Sequence, residues 1–374
     1  MASPSRHTAI IGGGIMGATT AYYLTEQPGF DISAHKVTII EAVGIAQAAS
    51  GKAGGLVSVV EALHTEETYE LAKISWKLHS DLAAKHNGAE KWWYRRVDMQ
   101  QQELESTKPE KPALPPPDWD TSWLNTDQIT KCSVEGTKDS AGQVGVEVIL
   151  GKVNRATYAE NGSFITTLQY VPRGDTSPIN LAVTNVVLAA GPWSGEVFGA
   201  IKPSGISYEL PVFGTRGHSI FIDTLEPLPP LAVFTEYHNG ESERLEGETT
   251  KPFHLEFYPR PEYLYVCGPA DNRTPLPPVD TPAVDSAFCN RMFEMCGKTS
   301  HVLANGTLRQ KQSCYMPMVK LTDRSSANPV LSGPPLIGKL PFFDNLIAAT
   351  GHSCWGMMFG PATGYVVAEI PFAS

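Results

Sequence analysis

The chain has 374 residues, enough for two domains or one large composite domain, and 42% of them are hydrophobic. Its formal net charge of −10 argues against nucleic acid or an anionic membrane surface as the main partner, because both attract basic proteins. The six Cys form no CxxC pair and no secretory signal is evident, so we expect reduced thiols in a cytoplasmic protein. We expect no membrane span and no metal site, because no segment has the length and apolarity or the Cys/His spacing that these need.

The first predicted elements form a βαβ unit around a glycine turn. The segment HTAIIGGGIMGATTAYYL predicts a strand, a turn and a helix, and HKVTIIEA predicts a second strand that ends at Glu41. Gly12, Gly14 and Gly17 fit GxGxxG, in which glycines permit a tight turn, approach to a pyrophosphate and close packing of the helix. The helix N-terminus would attract phosphates, and Glu41 would accept hydrogen bonds from ribose hydroxyls. The predicted contacts are Gly12, Gly14, Ile15, Met16, Gly17, Glu41 and Ala42.

A second glycine-rich loop, AASGKAGGLV, follows the second strand within a few residues. Its small side chains would let backbone amides reach a long cofactor that continues past the first turn, and Lys52 would add positive charge. This favours FAD over NAD, and a flexible loop without a ligand is the alternative. The predicted contacts here are Ser50, Gly51, Lys52, Ala53, Gly54, Gly55 and Leu56.

Further along the chain, helical periodicity gives way to strands. TEETYELAKISWKLHSDLAAKHNG predicts an amphipathic helix that ends at Asn87, and the Pro-rich KPEKPALPPPDWD predicts a surface loop. From Val144 onwards, short β-like runs dominate. TNVVLAAGPWSGEV predicts a buried strand and a corner, and NLIAATGHSCWGMMFGPATGYVVAEI predicts a strand, a turn at Gly351 and a helix to Glu369. The N-terminus of that helix would stabilise negative charge on a reduced flavin.

Four ordered segments resemble a known family. They are similar to segments of the FAD-dependent oxidoreductases of the D-amino-acid oxidase and glycine oxidase superfamily, and their sequences are IIGGGIMGATTAYYL, ASGKAGGLV, VVLAAGPWS and GHSCWGMMFGPATG. The motifs resemble more closely a fungal branch of undefined substrate. The resemblance implies an α/β fold: a GxGxxG Rossmann-type FAD-binding domain and a second α+β substrate domain with a mixed sheet. We predict an FAD-binding domain of residues 1–60, 144–205 and 325–374 and a substrate domain of residues 61–143 and 206–324.

The resemblance also assigns cofactor contacts by position. Val153 would contact the adenine end, and the corner after the buried strand would approach the cofactor through Ala190, Gly191 and Trp193. The turn before the last helix would border the flavin, through Gly351, His352, Cys354, Trp355, Gly356 and Met357.

The implied activity is that of an enzyme, an oxidoreductase that oxidises a C–N bond of a small amine or amino acid by hydride transfer to flavin N5. The candidate catalytic residues are His352, Tyr258 and Met316. His352 could hydrogen-bond the flavin or polarise the substrate, whereas a place in the core or the site wall is favoured over catalysis for Tyr258. Relatives that oxidise amino acids carry Arg-Pro at the position of Met316-Pro317, and Met cannot pair with a substrate carboxylate. A neutral or bulkier amine therefore fits as well, and Arg216 and Arg260 are other candidate carboxylate partners, structural roles being the alternative.

Two other functions stay open at this point. One is a flavoprotein fold retained as a binding or regulatory module with weak or no catalysis, and the other is an NAD-dependent dehydrogenase. The segment KQSCYMPM raises a question about the cofactor. Cys314 lies at the position that resembles the one where sarcosine oxidases attach FAD covalently. That bond would need a thiolate, and a small buried Cys under the flavin is the favoured interpretation.

One stretch departs from the family pattern. Relatives carry an amphipathic helix before the strand that GVEVILG resembles, whereas TKDSAGQV is too short and polar for one. A parallel crossover normally needs a dozen or more residues. Either a helix has been deleted or NTDQITKCSVEGTK makes an irregular crossover.

Overall fold

Two β-sheets and the helices packed on them make up the fold. The structure is a computed structural model that describes residues 6–105, 129–131, 146–238, 253–271, 273–279, 283–320 and 332–370. Within them the strands are β1 (Arg6–Ile11), β2 (His35–Glu41), β3 (Asp98–Glu105), β4 (Ile129–Lys131), β5 (Val146–Tyr158), β6 (Ile165–Pro172), β7 (Ile179–Ala182), β8 (Asn185–Leu188), β9 (Val212–Asp223), β10 (Leu231–His238), β11 (Phe253–Pro259), β12 (Leu264–Cys267), β13 (Thr307–Val319), β14 (Leu336–Lys339) and β15 (Leu346–Thr350). The helices are α1 (Ile15–Thr25), α2 (Glu66–His86), α3 (Gly88–Trp92), α4 (Ser194–Ile201), α5 (Ser286–Thr299), α6 (His301–Ala304) and α7 (Gly356–Glu369).

The first sheet has the strand order β14-β15-β8-β1-β2-β5-β6-β7. Strands β15, β8, β1, β2 and β5 run parallel, whereas β14, β6 and β7 pair antiparallel with their neighbours. The central strands are apolar without alternation, and Ile10, Val186 and Leu188 are fully buried, as expected for parallel strands covered on both faces. The predicted βαβ unit of β1, α1 and β2 is confirmed, and the carboxyl ends of β1, β2, β8 and β15 lie along one edge of the sheet.

Helices α1 and α7 touch through their backbones. A methyl group on Gly360 would overlap Ile15, and one on Gly364 would overlap the main chain of Thr19. Thr19 also donates its Oγ1 hydrogen to the Gly360 carbonyl at 2.8 Å. Because these contacts fix α7 along α1, the first turn of α7 lies beside the glycine turn, with Gly356 next to Met16.

Helix α2 compensates for a proline inside α7. Pro361 has no N–H, so the carbonyl of Met357 cannot receive its normal helical hydrogen bond. The fully buried His79 of α2 donates from Nε2 to that carbonyl at 2.9 Å. One helical turn earlier, Ser75 Oγ accepts from Ala362 N at 3.2 Å. His79 therefore satisfies the carbonyl that the proline leaves without a partner, and Ser75, four positions away on α2, accepts from the next amide of α7.

The second sheet is mixed, with the order β13-β9-β12-β11-β10-β3-β4. Strand β10 pairs parallel with β3, and the other neighbours pair antiparallel. On one face, Leu255, Phe257 and Val266 pack against Met292 and Cys296 of α5. Strand residues alternate between faces, so the intervening side chains point the other way, toward the glycine-rich loop of the first sheet.

The predicted fold class is confirmed, and so are the helix that ends at Asn87 and the strand, turn and helix from β15 to α7. The sequence interpretation missed β10, β13 and α5. The strands of the first sheet lie within the predicted FAD-binding ranges, and those of the second sheet lie within the predicted substrate ranges. Helix α2, which falls in a predicted substrate range, packs on α7 of the other range. The domain division itself stays a prediction. No helix in the described part of the chain is long and apolar enough to span a membrane.

The suspected missing helix falls on residues outside the described ones, as does the Pro-rich stretch. Strand β5 nevertheless takes its place beside β2, with Val37 opposite Val146. On β5, Val148 is 47% exposed and Leu150 is 43% exposed. Whether a helix was deleted stays a prediction.

We predict that His79→Ala lowers the free energy of unfolding by about 1–3 kcal/mol, because it leaves the Met357 carbonyl buried without a donor. Denaturant unfolding followed by circular dichroism measures this. The matched control is Ser80→Ala, the exposed neighbour on α2, which we expect to change stability by less than about 0.5 kcal/mol. Equal stabilities for the two variants would contradict the role given to His79.

Candidate cofactor and substrate site

The predicted glycine turn connects β1 to α1 in a conformation that requires glycine. Gly12 has φ +111° and lies so close to the Ala189 carbonyl that a methyl group there would overlap it. A methyl group on Gly17 would overlap the carbonyl of Gly12. The glycine turn, the start of α1 and the end of β8 therefore meet backbone to backbone. This close packing is what a phosphate group needs at the N-terminus of α1.

Glu41 lies at the carboxyl end of β2, beside that turn. Its carboxylate accepts from Gly13 N at 2.6 Å and from Val43 N at 2.9 Å. Ser50 Oγ accepts from Ile15 N at 2.9 Å, so the second glycine-rich loop caps α1. The Ile15 amide predicted to face phosphate is thus already bonded within the chain.

The second loop is tied to the second sheet. The Lys52 carbonyl accepts from Tyr265 OH at 2.8 Å and from Gln312 Nε2 at 3.2 Å. The Lys52 ammonium donates to the Ser313 carbonyl at 2.9 Å. A methyl group on Gly54 would overlap the ring of Tyr258, so the loop passes directly under the side chains of β11 and β12.

The corner after β8 presents Gly191 to open space. This residue has φ +54°, and a side chain there would meet no atom within 4 Å. Its carbonyl accepts from Ser194 Oγ at 2.7 Å and from Thr350 Oγ1 at 3.0 Å, which ties the corner to β15. Trp193 is buried and donates its indole N–H to the Pro277 carbonyl at 2.8 Å, and Val153 lies in the hydrophobic core.

His352 is 2% exposed, and its Nε2 lies 2.9 Å from Thr363 Oγ1 on α7. Burial lowers the pKa of His352 to about 3, so the imidazole is neutral at physiological pH. Its Nδ1 has no partner among the described residues. This environment suits a neutral hydrogen-bonding group better than a proton carrier. Cys354 and Trp355 follow in a 3₁₀ turn that leads into α7.

The side of the second sheet that faces away from α5 forms the opposite wall, and we call it the inner face. It carries Glu256, Tyr258, Tyr265, Cys267 and Cys314, placed by the pairings of Glu256 with Cys267 and of Tyr258 with Tyr265. Tyr258 OH donates to Glu256 Oε2 at 2.5 Å. The sequence interpretation selected Tyr258 but missed Glu256, although period-two alternation in FHLEFY puts both on one face.

Cys314 and Met316 lie on β13, the strand that the sequence interpretation missed. Cys314 is opposite Gly217, and Met316 is opposite Thr215. Burial raises the pKa of the Cys314 thiol to about 11, and the nearby charge of Lys52 opposes this shift only in part. The thiol is therefore protonated at neutral pH.

The two other arginines considered as carboxylate partners have different surroundings. Arg216 forms an ion pair with Asp271, Nη2 to Oδ2, at 2.8 Å. Arg260 is 7% exposed, donates to the Gly54 carbonyl and lies 5.6 Å from the centre of the Tyr265 ring. His218 accepts from Asp285 N at 3.1 Å. Nε of Arg216 and Nη1 of Arg260 have no partner among the described residues, whereas the Arg216 Nη2 is held by Asp271.

These observations match the requirements of FAD. A tight glycine cradle, an acid at the end of β2, a second small-residue loop and the open side of Gly191 follow one edge of the first sheet. The inner face then covers that edge. In the described part of the chain, no three His, Cys, Asp or Glu residues come together where they could hold a metal ion.

Comparison with known proteins points the same way. Residues 7–370 match the family described as FAD dependent oxidoreductase. The chain is 30% identical to a "putative oxidoreductase" of Schizosaccharomyces pombe, over 98% of this chain and 94% of that protein. It is 25% identical to "putative oxidoreductase TDA3" of Saccharomyces cerevisiae, over 98% of this chain and 91% of that protein.

Solved structures share the fold at low identity. Glycine oxidase from Bacillus cereus superposes with a TM-score of 0.66 at 17% identity, covering 97% of this chain and 96% of that chain. L-proline dehydrogenase from P. horikoshii gives a TM-score of 0.67 at 15% identity, with coverage of 98% and 93%. L-amino acid deaminase from Proteus myxofaciens gives 0.68 at 17%, with coverage of 99% and 91%.

We predict that Gly12→Ala abolishes FAD loading, because the methyl group overlaps the Ala189 carbonyl and φ is strained. Flavin absorbance of the purified variant after incubation with excess FAD measures this. The control is Gly199→Ala in α4, where a methyl group meets nothing within 4 Å, and we expect normal loading. A Gly12→Ala protein as yellow as the control would refute the cradle.

We predict that the flavin is bound without a covalent bond to Cys314, because a protonated thiol is a poor nucleophile. Acid precipitation of the loaded protein should leave the yellow colour in the supernatant. Cys314→Ser should give the same partition. Colour retained in the wild-type pellet and lost from the Cys314→Ser pellet would mean that the tether exists.

Proposed function

The chain belongs to the family of FAD-dependent oxidoreductases, and on that premise we propose that it oxidises a C–N bond of a small amine or amino acid. The observation that carries the proposal is the inner face, which places tyrosine, cysteine and carboxylate side chains over the edge of the first sheet where the cofactor segments meet. When bound, FAD supplies the acceptor for a hydride from the carbon beside the substrate nitrogen, which loses a proton as the substrate becomes an imine.

The residues of the first sheet would hold the cofactor. The glycine turn before α1 and the small side chains of the second loop would lie along the diphosphate, and Glu41 would hydrogen-bond the ribose. The hydrogen bonds that Glu41 already accepts from Gly13 and Val43 fix its carboxylate in place beforehand. Such fixed contacts support tight binding because little freedom remains to be lost.

The residues of the inner face would orient the substrate and exclude water. The rings of Tyr258 and Tyr265 lie over Gly54, and Tyr265 OH donates a hydrogen bond to the Lys52 carbonyl. In this proposal the substrate space would lie beside these aromatic side chains, at the edge assigned to the cofactor. His352 would act there as a neutral hydrogen-bonding group, since burial lowers its pKa to about 3.

The named neighbours include an oxidase of glycine and a dehydrogenase of L-proline, which supports C–N oxidation as the reaction class. The alternative, a binding or regulatory module with weak or no catalysis, is supported by the uncharged Met316 on β13, at the position where the family resemblance implies an arginine. Reduction of the flavin by a substrate distinguishes the enzyme from the binding module, and the next experiment measures it.

We predict that FAD-loaded protein is bleached under anaerobic conditions by at least one compound in a panel of amines and amino acids. The decrease of the flavin absorption band measures the reduction, and dithionite is the control that shows the flavin can be reduced. Readmission of air then reports whether oxygen reoxidises it. A loaded protein that dithionite bleaches but no compound does would favour the binding module.

A further inference from the structure

A carboxylate stands at the centre of the inner face. Glu256 lies in the middle of β11 and pairs with Cys267 of β12 on one side and with Phe234 of β10 on the other. Its side chain is half-buried and is on the same side of the sheet as Tyr258. Glu256 thus belongs to the wall that covers the cofactor edge, not to the solvent surface.

Two neutral donors hold this carboxylate in position. Tyr258 OH donates to Oε2 at 2.5 Å, and Cys267 Sγ donates to the same oxygen at 3.3 Å. Burial raises the pKa of both donors well above their usual values, and the charge of Glu256 adds to this, so both keep their protons. Among the described residues no Lys, Arg or His forms an ion pair with Glu256, and no donor occupies Oε1.

The turn that precedes α7 lies across from Glu256. Although Cys354 is exposed, desolvation by the surrounding protein raises the pKa of its thiol to about 11, and the charge of Glu256 contributes to the shift. Electrostatic interactions with Cys354 and Cys314 likewise contribute to the raised pKa of the Cys267 thiol, so the three thiols lie near one another. The carboxylate therefore faces the space enclosed by β13 and the turn before α7, which is the space assigned to the substrate.

Two cations near the inner face are engaged within the chain: Arg216 is paired with Asp271, and the Lys52 ammonium donates to the Ser313 carbonyl. Met316 stands on β13 opposite Thr215 and carries no charge. Arg260 donates to the Gly54 carbonyl and, with Arg95 and Trp93, lines a cavity of about 50 Å³ that Tyr258 and the second glycine-rich loop also line. A half-buried carboxylate without a cationic partner is costly, and a bound cation would offset that cost.

We infer that Glu256 recognises the nitrogen of the substrate, and that the substrate is a cationic primary or secondary amine that needs no carboxylate on the adjacent carbon. This rests on the proposed function and narrows it from amines and amino acids to amines. The free Oε1 accepts a hydrogen bond from the substrate ammonium, while Oε2 stays fixed by Tyr258 and Cys267. An amino acid would bring its own carboxylate beside Glu256, and like charges repel.

The test is ligand binding to FAD-loaded protein, read from the shift of the flavin absorption spectrum without turnover. The probes are n-butylamine, butyrate and norvaline, because norvaline is n-butylamine with a carboxylate added to the carbon that bears nitrogen. We expect butylammonium to bind at least about tenfold more tightly than either of the other two. Glu256→Gln should raise its Kd by about 10- to 100-fold, because a charged hydrogen bond becomes a neutral one.

The matched control is Glu262→Gln, an exposed glutamate in the turn between β11 and β12, which should leave all three Kd values unchanged. Glu256→Asp keeps the charge and should retain the preference for butylammonium, so the inference is still tested if the Gln variant fails to fold. Norvaline binding more tightly than butylammonium, or equal Kd values in Glu256→Gln and wild type, would overturn the inference.

The outcomes also separate the inference from the proposed function. A protein that binds FAD and is bleached by amino acids but by no amine would refute the role of Glu256 and leave C–N oxidation standing. If the norvaline affinity is lost in Arg260→Gln, the cavity beside Arg95 reads the carboxylate instead. A protein that cannot be loaded with FAD would refute the proposed function itself.

Discussion

Backbone-to-backbone contact around α1 is the constraint on which the rest of the structure depends. Gly17 touches the Gly12 carbonyl, Gly12 touches that of Ala189, and Gly364 touches the main chain of Thr19. Each contact brings one more segment against α1: the turn, the end of β8 and the helix α7. A side chain at any of these glycines would push a segment outward, and the edge that receives the cofactor would open.

That constraint also explains which features the sequence could predict. The glycine turn, Glu41 and the last helix are local patterns, and local chemistry dictates them. Strands β10 and β13 and helix α5 were missed because their identity depends on pairing with distant partners, even though α5 carries Cys289, Met292 and Cys296 on one face. The Glu256 site was missed for a related reason: alternation indicated the face, but only the pairing with Cys267 showed what stands beside it.

The same long-range contacts decide between roles that looked equal in the sequence. Arg216 and Arg260 were both possible carboxylate partners, and only the fold brings Asp271 to Arg216. His352 was a candidate catalyst, and only burial under α7 shows that it carries no charge. Pro361 would be expected to disturb α7, and only the approach of α2 supplies His79 to its free carbonyl. Asp271 lies 55 residues from Arg216, and His79 lies 278 residues from Met357.

The bonds between Lys52 and the second sheet have a thermodynamic consequence. Tyr265 and Gln312 hold the carbonyl of the residue whose neighbours lie along the cofactor, and Ser313 holds its ammonium. Whatever orders that loop also orders β12 and β13, so cofactor binding and the folding of the second sheet are linked equilibria. The second sheet, to which we assign the substrate, would thus draw part of its stability from a cofactor held by the first sheet.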